Sequence, residues 1–176
     1  MLWRSVLTGA ALGGLLAAGA SFAQQPPAQN PLDVVPDKMP FDIPYGPAIT
    51  LDQAQAAINA AAAESKKRGW KLNIAVVSPG GDLVAFARMD GAQLASVKIA
   101  EHKARTAARY RRETVLFERA VQNNIHYILT LDDVIASRGG IPLVQDGKLI
   151  GAIGCSGGTG SQDEVVCKVG AGTINK

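Results

Sequence analysis

Apolar and polar residues recur along the chain in patterns that predict four helices and five strands. The first helix is expected from Thr50 to Arg68, where apolar residues recur at helical spacing on one face. Thr50 and Gln53 stand at the spacing of a capping box, so this helix should begin at Thr50. Gly69 is a suitable residue just beyond its end.

Two hairpins are predicted from short apolar runs separated by turn residues. Leu72–Ser78 and Leu83–Met89 flank a Pro-Gly-Gly-Asp turn, and Ile141–Gln145 and Lys148–Cys155 flank Asp146-Gly147. Asp-Gly between two apolar runs is among the strongest hairpin signals. Adjacent hairpins predict an antiparallel sheet.

The remaining elements lie between and after the hairpins. A long helix is predicted at about Ala92–Arg109, a short helix from Thr114, and a short edge strand at Val134–Ala136. A second capping box at Ser161–Glu164 predicts a last helix that ends near Ala171. The fold class is therefore α+β, an antiparallel sheet with helices on its faces.

The first 49 residues differ in composition from the remainder. Met1–Ala23 has a basic residue, an apolar run and small residues before Gln24, which is typical of a secretory signal. A membrane anchor is the alternative, but the apolar run is short for a bilayer span. Gln24–Ile49 holds seven of the nine prolines and is predicted to be a linker or arm. The folded domain is expected over 50–176.

Composition and charge narrow the class of partner. The chain has 176 residues, a formal net charge of +3 and 47% hydrophobic residues, which suits one globular domain. Basic residues concentrate between Lys98 and Arg112. Nucleic-acid motifs and interleaved aromatic residues are absent from the sequence, so a nucleic-acid partner is not expected.

After signal cleavage we expect a periplasmic or secreted protein with no stable membrane span.

The long central helix carries the candidate binding residues. Lys98, His102 and Thr106 follow one another at intervals of four and should project from roughly one face, with Arg105 and Arg109 nearby. A cationic face with one imidazole suits an anionic ligand that contains a metal. The alternative is an ordinary solvated helix face. Neither histidine has a second ligand at zinc-site spacing, whereas haem iron needs only one or two axial ligands.

A glycine-rich loop and two cysteines complete the candidate chemistry. Gly154–Ser161, which includes Gly157 and Gly158, leads into the last helix and could hold an anion on its backbone N–H groups. A glycine-rich turn required for close packing is an equal alternative. Cys155 and Cys167 are equally compatible with a disulfide and with two buried thiols.

Several motifs in order resemble one known family. They are RMDGA at residues 88–92, Ser96, Lys103-Ala104-x-Thr106-Ala107, GGIPL, and GAIGCSGG with the DE that follows it. Over about Thr50 to Thr173 the chain resembles the GlcG/HbpS-type haem-binding family, also found as the C-terminal domain of PduO-type proteins. The resemblance implies a profilin-like fold with a five-stranded antiparallel sheet and assembly into homo-oligomers.

The resemblance also implies binding of haem or a related tetrapyrrole, with a role in haem degradation or iron handling. Its motifs carry over onto Lys103, Thr106, Asp163, Glu164 and the glycine pair 157–158. Cys155 and Cys167 depart from the family pattern, which is compatible with a local disulfide.

Three functions are carried forward from the sequence. The first is an exported haem-binding protein with His102 as the axial ligand, and Lys98, Arg105 or Arg109 pairing with propionates. The second is an enzyme acting on a small carboxylated or hydroxylated metabolite, with Asp90 or Glu164 as acid–base residue. The third is an oligomeric accessory protein without chemistry.

Overall fold

The computed structural model describes residues 31–175. The predicted signal segment Met1–Ala23 and the first part of the predicted linker, residues 24–30, lie outside the described residues. A first unit ends at Asp37 and contains one 3-10 turn, Pro31–Asp33; a second unit begins at Lys38 and holds every element described below.

The second unit consists of four helices, four strands and a 3-10 turn within the described residues. The helices are α1 (Leu51–Lys67), α2 (Ser96–Arg109), α3 (Val115–Gln122) and α4 (Gly160–Ala171), and the strands are β1 (Asn73–Val77), β2 (Leu83–Arg88), β3 (Gly140–Gln145) and β4 (Lys148–Ser156). The 3-10 turn is His126–Thr130. In the described range no helix is long and apolar enough to cross a membrane.

The strands form one antiparallel sheet in the order β2-β1-β4-β3. The α+β class with an antiparallel sheet is confirmed, but the prediction of five strands is wrong. The sheet has four strands, and Val134–Ala136 is irregular backbone within the described chain. The backbone N–H of Ile135 donates to the hydroxyl of Thr106 at 3.2 Å, so it is engaged by a helix side chain.

Local capping explains where α1 and α4 begin. The predicted capping box of Thr50 and Gln53 is present at the start of α1. The second box begins earlier than predicted: Thr159 caps α4, with its side chain accepting from Gln162 N. The predicted start of α2 at Ala92 is also wrong by about one turn, since the N–H groups of Ser96 and Val97 close turns and Ala95 has no capping side chain.

Both faces of the sheet are covered by helices. Because side chains alternate along a strand, Ile74 and Val76 of β1 join the core formed with α1 and α4, whereas Ala75 and Val77 join the core formed with α2. Small residues dominate the α2 side of the sheet, so this helix approaches the backbone closely.

Cys155 on β4 and Cys167 on α4 form a disulfide, with their Cα atoms 5.6 Å apart. The sequence is equally compatible with a disulfide and with two buried thiols, and the structure has the disulfide. Both residues are fully buried in the core under α4, so the disulfide links that helix covalently to the sheet.

The segment from Phe41 to Ile49 packs against the domain. Gly46 N donates to Leu149 O at 2.8 Å, and Leu149 N donates to Pro44 O at 2.9 Å. The Tyr45 hydroxyl donates to Arg109 O at 2.8 Å. The segment therefore lies beside the start of β4 and the end of α2.

Candidate functional site

Helix α2 positions the candidate binding residues by the way it packs. Ala100, Ala104 and Ala107 are fully buried against the sheet. A Cβ atom on Gly154 of β4 would lie 2.2 Å from Ala100 O, so glycine is required for the helix to pack at this distance. The helix is thereby packed closely on the sheet, with a second set of residues facing away from it.

The predicted row of Lys98, His102 and Thr106 passes from solvent into the interior. The Lys98 side chain is 84% exposed, His102 is half-buried, and Thr106 is fully buried. All three lie on α2 at intervals of four, as expected, but they differ in their exposure to solvent. The row begins at the surface and ends beneath the loop that follows the 3-10 turn.

His102 is the residue in this row with a free ligand atom. Its Nε2 is buried and has no hydrogen-bond partner among the described residues. Buried polar side-chain atoms in native proteins are nearly always paired, so an unpartnered imidazole nitrogen calls for an explanation. Coordination of a metal is one such explanation, since neutral imidazole is a common metal ligand.

Thr106 is fully engaged within the protein. Its hydroxyl donates to Asp133 O at 2.5 Å and accepts from Ile135 N at 3.2 Å. These two bonds fix the loop after the 3-10 turn onto α2. Thr106 therefore has a structural role here that does not leave its oxygen free for a ligand.

The three candidate cations are already paired with carboxylates. Lys98 Nζ lies 2.9 Å from Glu101 Oε2. Asp133 contacts both arginines: Arg109 donates to its Oδ2, and Arg105 Nη1 lies 4.0 Å from its Oδ1. Asp133 thus brings Arg105 and Arg109 together, and an incoming anion would compete with it for both guanidinium groups.

The glycine-rich loop holds a carboxylate that belongs to the chain itself. Gly158 N donates to Asp163 Oδ1 at 3.0 Å, and Lys103 Nζ donates to Asp163 Oδ2 at 2.7 Å. The Lys103 and Asp163 side chains are only 2% and 3% exposed. At Gly157 a Cβ would lie 2.5 Å from Lys71 O, which excludes a larger residue. This loop is therefore a packing turn around a buried ion pair.

The Lys103–Asp163 pair joins α2 to α4 and is not predicted as a contact from the sequence. The two residues are 60 positions apart, so no spacing rule could bring them together. The family resemblance identifies Lys103 and Asp163 as motif residues but does not indicate that they form a pair. A buried ion pair of this kind is costly to break on one side, because the remaining charge is left without a partner.

The alternative acid–base residue Glu164 lies in a network of ion pairs. Its Oε1 accepts from Lys168 at 2.7 Å, and its Oε2 lies 3.5 Å from Arg138 Nη1. The hydrogen bond to Glu164 raises the pKa of Lys168. Burial of Glu118 acts to raise its pKa, but hydrogen bonds from the Arg138 side chain and backbone outweigh this and hold the pKa below its usual value. Arg138 therefore pairs with Glu118 of α3 and with Glu164 of α4, and it links the two helices.

The residues of α2 have the chemistry that haem binding requires, but the nitrogen that would bind the iron is not accessible. An unpartnered imidazole nitrogen and three neighbouring cations are the donors that haem iron and propionates require. His102 Nε2 is nevertheless enclosed by protein atoms. Iron can reach this nitrogen only if the groups that enclose it move or if the His102 side chain turns outward.

Comparisons with known proteins agree on one family. The family described as "Haem degrading protein HbpS-like" matches residues 49–172. Protein GlcG of Escherichia coli K12 is 41% identical over 108 residues, which are 61% of this chain and 81% of that protein.

Two solved structures are similar in fold. The crystal structure of HbpS matches with a TM-score of 0.69 at 26% identity, over 77% of this chain and 96% of that chain. The crystal structure of a PduOC:haem complex matches with a TM-score of 0.67 at 26% identity, over 73% and 96% of the two chains.

Proposed function

Because the chain belongs to the HbpS-like family of haem-degrading proteins, we propose that it is an exported haem-binding protein with a role in haem or iron handling. The structural neighbour PduOC has been crystallised as a haem complex. That neighbour supports haem as the ligand class for this chain. Bound haem would supply an iron centre capable of redox chemistry and a strong absorbance band for detection.

The observation that carries the proposal is the buried, unpartnered Nε2 of His102 on α2. In the proposed complex His102 would hold the iron through this nitrogen, and Arg105, Arg109 or the exposed Lys98 would pair with the propionates. Packing of α2 on the sheet through Ala100 and Ala104 holds the His102 backbone in place.

A titration of haemin into purified protein (Gln24–Lys176) tests this proposal. We expect a saturable change in the Soret band near one haem per subunit in the wild type, and loss or a shift of that band in His102→Ala. The other histidine, His126, is exposed on the 3-10 turn, so His126→Ala is a matched control and should behave like the wild type. Equal, non-saturating changes in all three proteins would refute a specific site.

Export is part of the proposal and has two supports. The segment Met1–Ala23 has the features of a secretory signal. The Cys155–Cys167 disulfide suits an oxidising compartment. Mass spectrometry of the periplasmic fraction should find a chain that begins at Gln24 and contains the disulfide. A full-length chain confined to the cytoplasm, with both thiols reduced, would contradict export.

We also propose that the protein assembles into a homo-oligomer. The support is the resemblance of its motifs to a family whose members commonly do so. Light scattering of the purified protein should give a mass that is a multiple of the subunit mass. A monomer at all concentrations tested would contradict this proposal without affecting the haem titration.

A further inference from the structure

A cleft of about 460 Å³ is bordered by the Phe41–Ile43 segment, α3, β3 and α4. None of the α2 residues proposed to bind haem lines it, so it does not depend on the haem proposal. This volume is within the range of about 300–1,000 Å³ that is typical of small-molecule sites. The residues that line the cleft combine an apolar wall with basic side chains.

The apolar residues that line the cleft come from two elements. Val115 and Leu116 come from the start of α3, and Ile141, Pro142 and Val144 come from β3. Val115 and Ile141 are buried, whereas Leu116 is 37% exposed at the rim. Such a wall favours the body of an apolar ligand over a fully hydrated ion.

Arg112 is oriented by aromatic side chains. Its guanidinium carbon lies 3.7 Å from the centroid of the Phe41 ring and 5.3 Å from that of Phe117. Its Nε donates to Tyr110 O at 3.1 Å. These contacts fix the plane of the guanidinium and leave its two terminal nitrogens for a ligand. Burial lowers the pKa of Arg112 from its usual value, as expected for a cation without a counter-ion.

The charges lining the cleft leave a net positive balance. Four basic residues and two acidic residues line it, which gives a formal charge of +2: Arg111, Arg112, Arg119 and Lys168 against Glu113 and Glu164. Lys168 pairs with both glutamates, and Arg111 lies 3.8 Å from Asp42 Oδ1. Within residues 31–175, no carboxylate forms an ion pair with Arg112 or Arg119.

We propose that this cleft binds a small organic carboxylate with one ring or a short alkyl chain, its carboxylate on Arg112 and its apolar body on Val115 and Ile141. A guanidinium fork of fixed orientation is suited to two parallel hydrogen bonds to a planar carboxylate. Because the site is separate from His102, it would operate in haem-free protein. It is a second ligand site on the same domain.

The test is a titration of haem-free protein with benzoate, followed by two-dimensional NMR. Benzamide, which has the same shape without charge, and inorganic phosphate, which has charge without an apolar body, are titrated alongside. We expect saturable benzoate shifts at Val115, Leu116 and Ile141, with weaker binding of both comparison ligands. Replacement of Arg112 by Gln should weaken benzoate binding about tenfold or more, whereas Arg112→Lys should retain part of it.

Arg88→Gln is the matched control, since Arg88 lies at the end of β2 and does not line this cleft. It should bind benzoate like the wild type. Equal shifts with benzoate and benzamide, tighter binding of phosphate, or wild-type shifts outside the cleft would each overturn the proposal. The wild-type shift map distinguishes these outcomes even if an Arg112 variant fails to fold. A normal haemin titration beside a failed benzoate titration would reject the cleft site alone.

Discussion

At the scale of single residues, the buried Lys103–Asp163 pair shows how the glycine-rich loop is stabilised. Asp163 accepts from Lys103 on one oxygen and from Gly158 N on the other. The loop therefore resembles an anion-binding loop in its chemistry while its anion comes from the chain itself. This explains why a sequence of this kind suggests a ligand site where the structure has a packing contact.

A double-mutant cycle tests this role. Lys103→Met should destabilise the protein by about 3–5 kcal/mol, because it leaves the Asp163 charge buried without its partner. Lys103→Met with Asp163→Asn should cost less than the sum of the single changes, since each single change leaves one buried charge unpaired and the double change leaves none. Urea denaturation measures all four free energies of unfolding. Strict additivity would contradict a coupled pair.

At the scale of elements, glycine on β4 determines how closely α2 approaches the sheet. A Cβ at Gly154 would lie 2.5 Å from Ala104 N as well as close to Ala100 O. Both atoms are backbone, so neither can move without displacing the helix. The whole row of candidate binding residues on α2 depends on this contact.

Gly154→Ala should therefore destabilise the protein by about 1–3 kcal/mol or more, as overpacking does in other cores. Gly172 is a suitable control, because a Cβ there would make contacts no closer than 3.4 Å. Gly172→Ala should change the free energy of unfolding by no more than about 0.5 kcal/mol. Chemical denaturation of the two variants measures the difference, and equal stability would contradict the close packing of α2 on Gly154.

The link between α3 and the loop before β3 is electrostatic. Glu118 accepts from the backbone N of Arg138 and from its Nε, each at 2.8 Å. Since the pKa of Glu118 is held below its ordinary value of 4.5, its ionised form stabilises the folded state. That contribution is present above the unfolded pKa and is lost as pH falls through the lower folded pKa.

Glu118→Gln should consequently be less stable than the wild type at pH 7. The difference should shrink as pH is lowered below 4.5, the ordinary pKa of this group. Urea denaturation of both proteins across the range from neutral to acidic pH measures this dependence. A difference in stability that stays constant over the whole range would show that the Glu118 charge contributes nothing.

At the scale of the whole molecule, local signals predict the elements well and distant contacts poorly. Asp146-Gly147 is expected to close a hairpin, and both residues have the positive φ angles, 52° and 72°, that such a turn requires. The fifth strand at Val134–Ala136 is predicted from its apolar residues alone. Thr106 takes the backbone N–H of Ile135 instead, and this tertiary contact has no local signal.

In the candidate site, too, local features can be predicted from the sequence, whereas contacts between distant residues cannot. The sequence can propose His102 and the basic residues of α2 as candidates, because helical spacing is a local property. It cannot place Asp133 between Arg105 and Arg109, nor show that Thr106 is buried, since both depend on how the loop after the 3-10 turn folds back. The unpartnered state of His102 Nε2 likewise requires the complete environment of the side chain.

The central claim is that His102 is the axial ligand of a specific haem site. The most direct measurement is the Soret titration with haemin of wild type and His102→Ala side by side, with His126→Ala as control. Saturation near one haem per subunit in the wild type and in His126→Ala, with loss or displacement of the band in His102→Ala, is the predicted result. An identical band and affinity in His102→Ala would contradict the claim and exclude this residue as the ligand.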